Sequence, residues 1–229
     1  MKIKGLQKTT LLDFPDRVAC TVFTGGCNFR CPFCHNASLV LSPNIVEEIS
    51  EDTFFGFLSK RKGILDGVCI TGGEPLLQKG IIPFMERIRY EGFSVKLDTN
   101  GSFPDKLKDI VSRNLVDYIA MDIKNSEEKY AMTAGIDDDC KHVFESIDFI
   151  MSCGVDYEFR TTVVKELHTA QDIESIAKRI KGAKRYFLQN FKDSGDLISP
   201  EFSAHSEEEM RKMHDIASRY VELCKLRGI

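Results

Sequence analysis

The sequence predicts an α/β fold, an incomplete (β/α)6 TIM-like barrel with parallel strands. Three observations lead there. Strand-like segments rich in β-branched and aromatic residues alternate with helical patterns about six times, an order that requires a mostly parallel sheet with right-handed crossovers. No linker rich in Pro, Gly or Ser and no low-complexity tract interrupts the 229 residues, so they are expected to form a single domain, residues 1–229. A closed eight-unit barrel needs about 250 residues, which makes six units an open one, with a doubly wound sheet as the alternative.

The predicted strands cover residues 18–23, 68–71, 94–98, 118–122, 157–164 and 185–191. Between the first two, Ser50 reads as the N-cap of a helix over 51–62, with Phe54, Phe55, Phe57 and Leu58 as its apolar stripe and Gly63 as its stop. Further on, Gly92 and Gly154 suit helix C-terminal stops, and Pro104 suits a first helical position. Thr169 with Asp172 resembles an N-cap followed by an acidic first turn. Ser206 and Glu209 have capping-box spacing, which predicts a final helix over about 206–228. In either architecture, chemistry belongs at the carboxyl ends of the strands.

Composition narrows the function. With 31 basic against 35 acidic side chains the chain has no overall field to draw in nucleic acid or anionic lipid. No apolar run is long enough for a signal-peptide core or a membrane span, so a cytoplasmic protein is expected, with neither nucleic acid nor membrane as partner. Eight cysteines in a reducing compartment do not read as a disulfide framework. Their spacing is the informative feature.

Three of them, Cys27, Cys31 and Cys34, fall within eight residues of the loop 25–36. A short loop can wrap three thiolates around one inorganic core, and Gly25 and Gly26 allow a tight backbone approach. Zinc held by these cysteines and His35 is the competing arrangement by residue type. Because His35 directly follows Cys34, the two side chains are awkward partners in one tetrahedron. Three thiolates on a four-iron cluster leave one iron open, as a reacting cofactor requires. Cys20 and Cys69 lie in apolar strand segments, where a thiol acts as a small hydrophobe, and the four remaining histidines have no metal-site spacing.

The strand ends add a second group of candidates. Thr71-Gly72-Gly73-Glu74-Pro75 closes the second strand; paired glycines expose carbonyls to a bound ammonium and the carboxylate adds a charge-assisted partner, although alone the segment is a tight turn. Asp98-Thr99-Asn100-Gly101 closes the third, and Met121-Asp122-Ile123-Lys124 the fourth. Asp98 and Asp122 are expected at the barrel mouth, where two uncompensated carboxylates would repel and raise a pKa. A cation should sit near them: Lys124, a metal ion or a positively charged group of a bound cofactor. An N-cap at Asp98 and a surface ion pair of Asp122 with Lys124 are the plainer readings. Arg160, in a β-branched run, is either a partly solvated sheet residue or a strand-end guanidinium that reaches a carboxylate.

The CxxxCxxC loop, with Phe33 before its last cysteine, resembles the signature of the radical S-adenosylmethionine superfamily. The Asp-Thr-Asn-Gly and Asp-x-Lys segments are similar to those of the glycyl radical enzyme activases within it. The opening residues 5–15 and the Gln189-Asn190-Phe191 segment look closest to the activating proteins of anaerobic ribonucleoside-triphosphate reductase. This resemblance implies one [4Fe-4S] cluster on Cys27, Cys31 and Cys34, with S-adenosyl-L-methionine chelating the open iron. It implies cofactor contacts from Phe33, Cys34, His35, Gly72, Gly73, Glu74, Asp98, Thr99, Asp122, Lys124 and Arg160. Formate-lyase activases carry a histidine near the adenosyl group where Lys192 stands here. The implied reaction is reductive cleavage of S-adenosylmethionine to methionine and a 5′-deoxyadenosyl radical, which takes a Cα hydrogen from a glycine loop of a partner enzyme. No side chain need act as general acid or base. Electrons are expected from a flavodoxin or ferredoxin, since no auxiliary cluster motif is present. A small-molecule radical enzyme of the deazaguanine-forming type, a different glycyl radical enzyme as partner, an electron carrier and a zinc-stabilised binding module are the alternatives.

Overall fold

The computed structural model describes residues 1–193 and 195–229. Eight strands form one sheet in the order β1 to β8: Ile3–Thr10, Ala19–Thr24, Gly67–Gly72, Ser94–Thr99, Tyr118–Asp122, Asp156–Val163, Tyr186–Asn190 and Cys224–Arg227. Each strand pairs with its neighbours in sequence. β1 runs antiparallel to β2, and all later pairs are parallel. This sequential order excludes the doubly wound alternative, whose strand order reverses at a switch point. The sheet winds in one direction and, with β1 and β8 unpaired to each other, remains open.

Strands β2 to β7 are the six that the sequence predicts. Among the described residues, eight α-helices accompany them: α1 (Ala37–Leu41), α2 (Glu51–Ser59), α3 (Ile81–Tyr90), α4 (Pro104–Ser112), α5 (Tyr130–Ala134), α6 (Lys141–Ser152), α7 (Ala170–Arg179) and α8 (Glu207–Ala217). The expected caps form. Ser50 Oγ accepts from Thr53 N–H at 3.1 Å, and Thr169/Asp172 and Ser206/Glu209 both close capping boxes. Pro104 opens α4. Gly92 and Gly154 follow α3 and α6 with φ of +91° and +81°.

The final helix is shorter than expected. Instead of running over 206–228, α8 stops at Ala217 and the chain returns as β8 beside β7. The reason lies in β7, whose outer edge would otherwise present unpaired backbone groups beside buried Leu188. The antiparallel β1, also absent from the sequence reading, covers the other edge at β2.

Strand alternation divides the sheet into two faces with different chemistry. Val22, Ile70, Val95, Leu97, Ile119, Met121, Phe159 and Leu188 are fully buried and join the helices in one continuous hydrophobic core. The intervening residues include Cys69, Lys96, Asp98, Tyr118, Glu158 and Arg160, so the inner face carries charge. Among the described residues, no helix is long and apolar enough to cross a membrane.

Candidate active site

A cavity of about 280 Å³ opens where the parallel strands end. The cysteine loop forms one wall, with Cys27, Cys31, Phe33, Cys34 and His35. The ends of β3, β4, β5, β6 and β7 supply Thr71, Gly72, Gly73, Asp98, Thr99, Asn100, Asp122, Lys124, Arg160 and Gln189. The fold therefore brings together all three candidate thiols and most of the strand-end residues that the sequence singles out.

Glycine explains how the loop is held against β3. Gly73 N–H donates to Thr24 O at 2.9 Å and Glu74 N–H to Gly26 O at 2.8 Å. A Cβ on Gly73 would lie 1.9 Å from Gly26 O, well inside contact distance. On its other side the loop is tied to the end of α5 through Arg30 N–H and Ala134 O, 2.8 Å apart. Gly-Gly-Glu-Pro thus secures the cysteine loop by backbone apposition.

The three thiols line one cavity, and donors already face the sulfur of Cys27. Phe29 N–H points to Cys27 Sγ at 3.3 Å and Asn100 Nδ2 approaches it at 3.8 Å. Burial, reinforced by Glu74, raises the Cys27 pKa to about 11; burial raises that of Cys31 to about 12 against the pull of Lys124. Such thiols lose their protons when a metal takes their place, and at Cys27 the N–H donors then stabilise the thiolate. Among the described residues, no three His, Cys, Asp or Glu side chains converge closely enough for a single metal ion. The donor set fits an iron-sulfur core, which thiolates ligate around a larger body.

Phe33 is buried, edge-on to His168 and Phe202. His168 receives the Val164 N–H at Nδ1 (3.1 Å) and has Nε2 2.7 Å from Lys124 O, which braces the backbone at Lys124. His35 is exposed at the rim and stacks at a tilt on Phe191, 5.4 Å between ring centres.

Glu74 differs from expectation. It is completely buried, does not line the cavity, and accepts from Thr99 Oγ1 (2.9 Å), Asn100 N (2.7 Å) and Leu76 N (2.9 Å). Its carboxylate is occupied in joining the ends of β3 and β4. Burial outweighs the three donors and lifts its pKa to about 7. Lys192 also stands apart from the cavity lining. It is exposed beyond β7 and contributes nothing to the cavity wall, where Gln189 stands instead.

Asp98 and Asp122 do meet at the mouth, but their charges are compensated. Arg160 bridges them, with Nε 2.8 Å from Asp122 Oδ1 and Nη1 2.9 Å from Asp98 Oδ2. Lys124 takes Asp122 Oδ2 at 3.2 Å, and Lys96 takes Asp98 Oδ1 at 2.5 Å. The order Lys96, Asp98, Arg160, Asp122, Lys124 alternates in sign, with three positive charges and two negative. Burial raises the pKa of both carboxyls, yet Arg160 with Lys96 at Asp98, and Arg160 with Lys124 at Asp122, brings each below its ordinary value. The cation expected near the two aspartates is thus present three times over, as Lys124, Arg160 and Lys96. The sequence reading missed Lys96, although opposite charges at alternate positions of an otherwise apolar strand are a visible signal. It also placed Cys69 in apolar surroundings, whereas its Sγ lies 3.9 Å from Lys96 Nζ and 3.8 Å from Asp98 Oδ1.

Comparison with known proteins follows this geometry. The radical SAM superfamily profile matches residues 21–180. A Methanocaldococcus jannaschii protein bearing the name of a glycyl-radical enzyme activating enzyme is 32% identical over 237 aligned positions, covering 99% of this chain and 96% of that protein. The 7-carboxy-7-deazaguanine synthase of Koribacter versatilis is 28% identical across 66% of this chain and 63% of its own. Among solved structures, a domain of pyruvate-formate lyase-activating enzyme from Bacteroides vulgatus superposes with a TM-score of 0.59 at 17% identity, covering 71% of this chain and 99% of that one. Streptococcus suis SuiB bound to S-adenosylmethionine gives 0.69 at 12% identity, over 90% of this chain and 49% of its own. This enzyme belongs to the radical S-adenosylmethionine superfamily.

Proposed function

We propose that the enzyme installs a glycyl radical on a partner enzyme, with anaerobic ribonucleoside-triphosphate reductase as the partner and a flavodoxin or ferredoxin as electron donor. The near full-length similarity to a glycyl-radical enzyme activating enzyme carries this reading. Superfamily membership implies a [4Fe-4S] cluster and S-adenosylmethionine; Cys27, Cys31 and Cys34 would hold the first. When bound, the pair supplies one-electron cleavage of a carbon-sulfur bond and, through it, removal of a substrate hydrogen atom.

The chain's residues then have separate tasks. Exposed backbone at Gly72 and Gly73 suits the ammonium group of the methionyl part. Its carboxylate suits the positive surplus at Arg160 and Lys124. Thr99 and Asp122 line the intervening wall. Phe33 packs beneath the loop and His35 with Phe191 forms an aromatic rim. Because the sheet is open between β1 and β8, a peptide loop from a larger protein has a route to the strand ends. Holding a glycine Cα against the reacting carbon is a positioning task that requires no proton-transfer residue.

The test mixes anaerobically reconstituted protein with S-adenosylmethionine, dithionite and the reductase, and reads a glycyl radical by electron paramagnetic resonance. A parallel assay follows deoxyadenosine release, which should vanish in Cys31→Ala. Undiminished release from that variant would remove the cysteine loop from the reaction. Cleavage without any radical on the reductase or another glycyl radical enzyme would favour a small-molecule substrate, the reading to which similarity with deazaguanine synthases points.

A further inference from the structure

Behind the cavity wall lies a buried lysine for which the proposed reaction has no direct use. Lys96 is 2% exposed, lies outside the cavity lining and is enclosed by the sheet's inner face. Its ammonium group touches Asp98 Oδ1 and approaches Cys69 Sγ. A buried ammonium is costly unless its partner is well placed. Here the attraction of Asp98 and then Cys69 exceeds the burial cost and raises its pKa above the ordinary lysine value. It is a fixed positive charge.

Its effect on the cavity is geometric as well as electrostatic. With Oδ1 of Asp98 occupied from behind, only Oδ2 faces Arg160. The guanidinium therefore meets Asp98 through one nitrogen and turns Nε to Asp122. Without Lys96, Asp98 Oδ1 would keep only the weak contact from Cys69 Sγ at 3.8 Å, which leaves it open to a bidentate pairing that draws Arg160 away from Asp122. Removing Lys96 would also reduce the five-member set from a surplus of one positive charge to neutrality.

We propose that Lys96 is a positioning residue that acts through Asp98 to keep Arg160 bridging the two aspartates and the cavity wall positive, and so selects a ligand bearing a carboxylate. The proposal rests on the reading that S-adenosylmethionine occupies this cavity.

The experiment compares binding of S-adenosylmethionine with that of decarboxylated S-adenosylmethionine to the anaerobically reconstituted protein by titration calorimetry. Lys96→Gln keeps a hydrogen-bond donor but loses the charge, and Lys96→Met loses both. Two neutral variants are made so that a folding defect in one leaves the other to carry the test. In the parent chain the carboxylated ligand binds more tightly. In each folded neutral variant that preference falls by roughly ten-fold, since loss of a charge beside a partly buried site acts on a charged ligand group. Lys96→Arg keeps the preference within about two-fold of the parent, as retention of the charge requires. An unchanged preference in the neutral variants, or equal weakening of both ligands, would overturn the role of Lys96 alone. A parent chain that binds neither ligand would overturn the assignment of the cavity and this proposal with it.

Discussion

Replacing Arg160 with Leu tests the charge ladder at its centre. The substitution removes the shared partner of two carboxylates and leaves Asp98, 12% exposed, and Asp122, 33% exposed, facing each other. Breaking a buried ion pair by deleting one member costs roughly 3–5 kcal/mol. Lys96 and Lys124 remain at the outer oxygens, and the more exposed Asp122 retains some hydration, so a value of about 3 kcal/mol at pH 7.5 is expected. With a urea dependence of about 2 kcal/mol per molar, the unfolding midpoint should fall by about 1.5 M.

The pH dependence makes the prediction specific. Both aspartates have folded-state pKa values below those of the unfolded chain. In the parent, their stabilisation is present above the ordinary carboxylate pKa and is lost as pH falls through the depressed values. In Arg160→Leu, burial and mutual repulsion favour protonation of one carboxyl, and acidification relieves the strain. The difference between parent and variant should therefore be greatest at pH 7.5 and shrink towards pH 4.5. Urea titrations of anaerobically purified protein, followed by circular dichroism, measure it. A deficit under about 1 kcal/mol at pH 7.5, or one that is the same at both pH values, would refute the bridging role, because exposed pairs behave in that way.

Two further outcomes follow from the site. Gly73→Ala forces a methyl group into Gly26 O, so the loop must leave β3; iron and sulfide incorporation on reconstitution should drop by at least half, and full incorporation would contradict the apposition. Glu74 has a folded pKa of about 7, raised by burial above its ordinary carboxyl value, so its contribution to stability declines as pH rises from about 5 to about 8. Glu74→Gln should flatten that part of the urea-midpoint profile, and an unaltered slope would place the titration elsewhere.

The sequence was legible where local chemistry and tertiary structure agree. The six central strands, the Ser50, Thr169 and Ser206 caps and the cysteine loop each carry a signal that neighbouring residues supply by themselves. β8 carries none, since Cys224–Arg227 form a strand because the β7 edge needs a partner, a requirement set by a distant segment. Glu74 shows the same limit within the site. Its motif identifies a carboxylate at a strand end, but whether it faces a ligand or the Thr99 and Asn100 donors depends on β4. Lys192 was placed by alignment with a motif, and the departure of the chain from β7 takes it to solvent.

Lys96, Asp98, Glu158 and Arg160 also explain how an inner face this polar is compatible with a stable fold. Buried charges contribute little net stability even when paired, so the sheet cannot depend on that face for cohesion. Strand alternation assigns it to the other one, where Ile70, Leu97, Ile119, Phe159 and Leu188 meet the helices. Each charge then needs only local compensation. Asp98 and Asp122 receive it from the cations around them. Glu158, 2% exposed, receives it from Arg227 of β8 at 3.1 and 3.2 Å. The strand that seals the β7 edge also neutralises the deepest carboxylate on β6, and the interior can remain polar up to the cavity because its lower end is charge-paired.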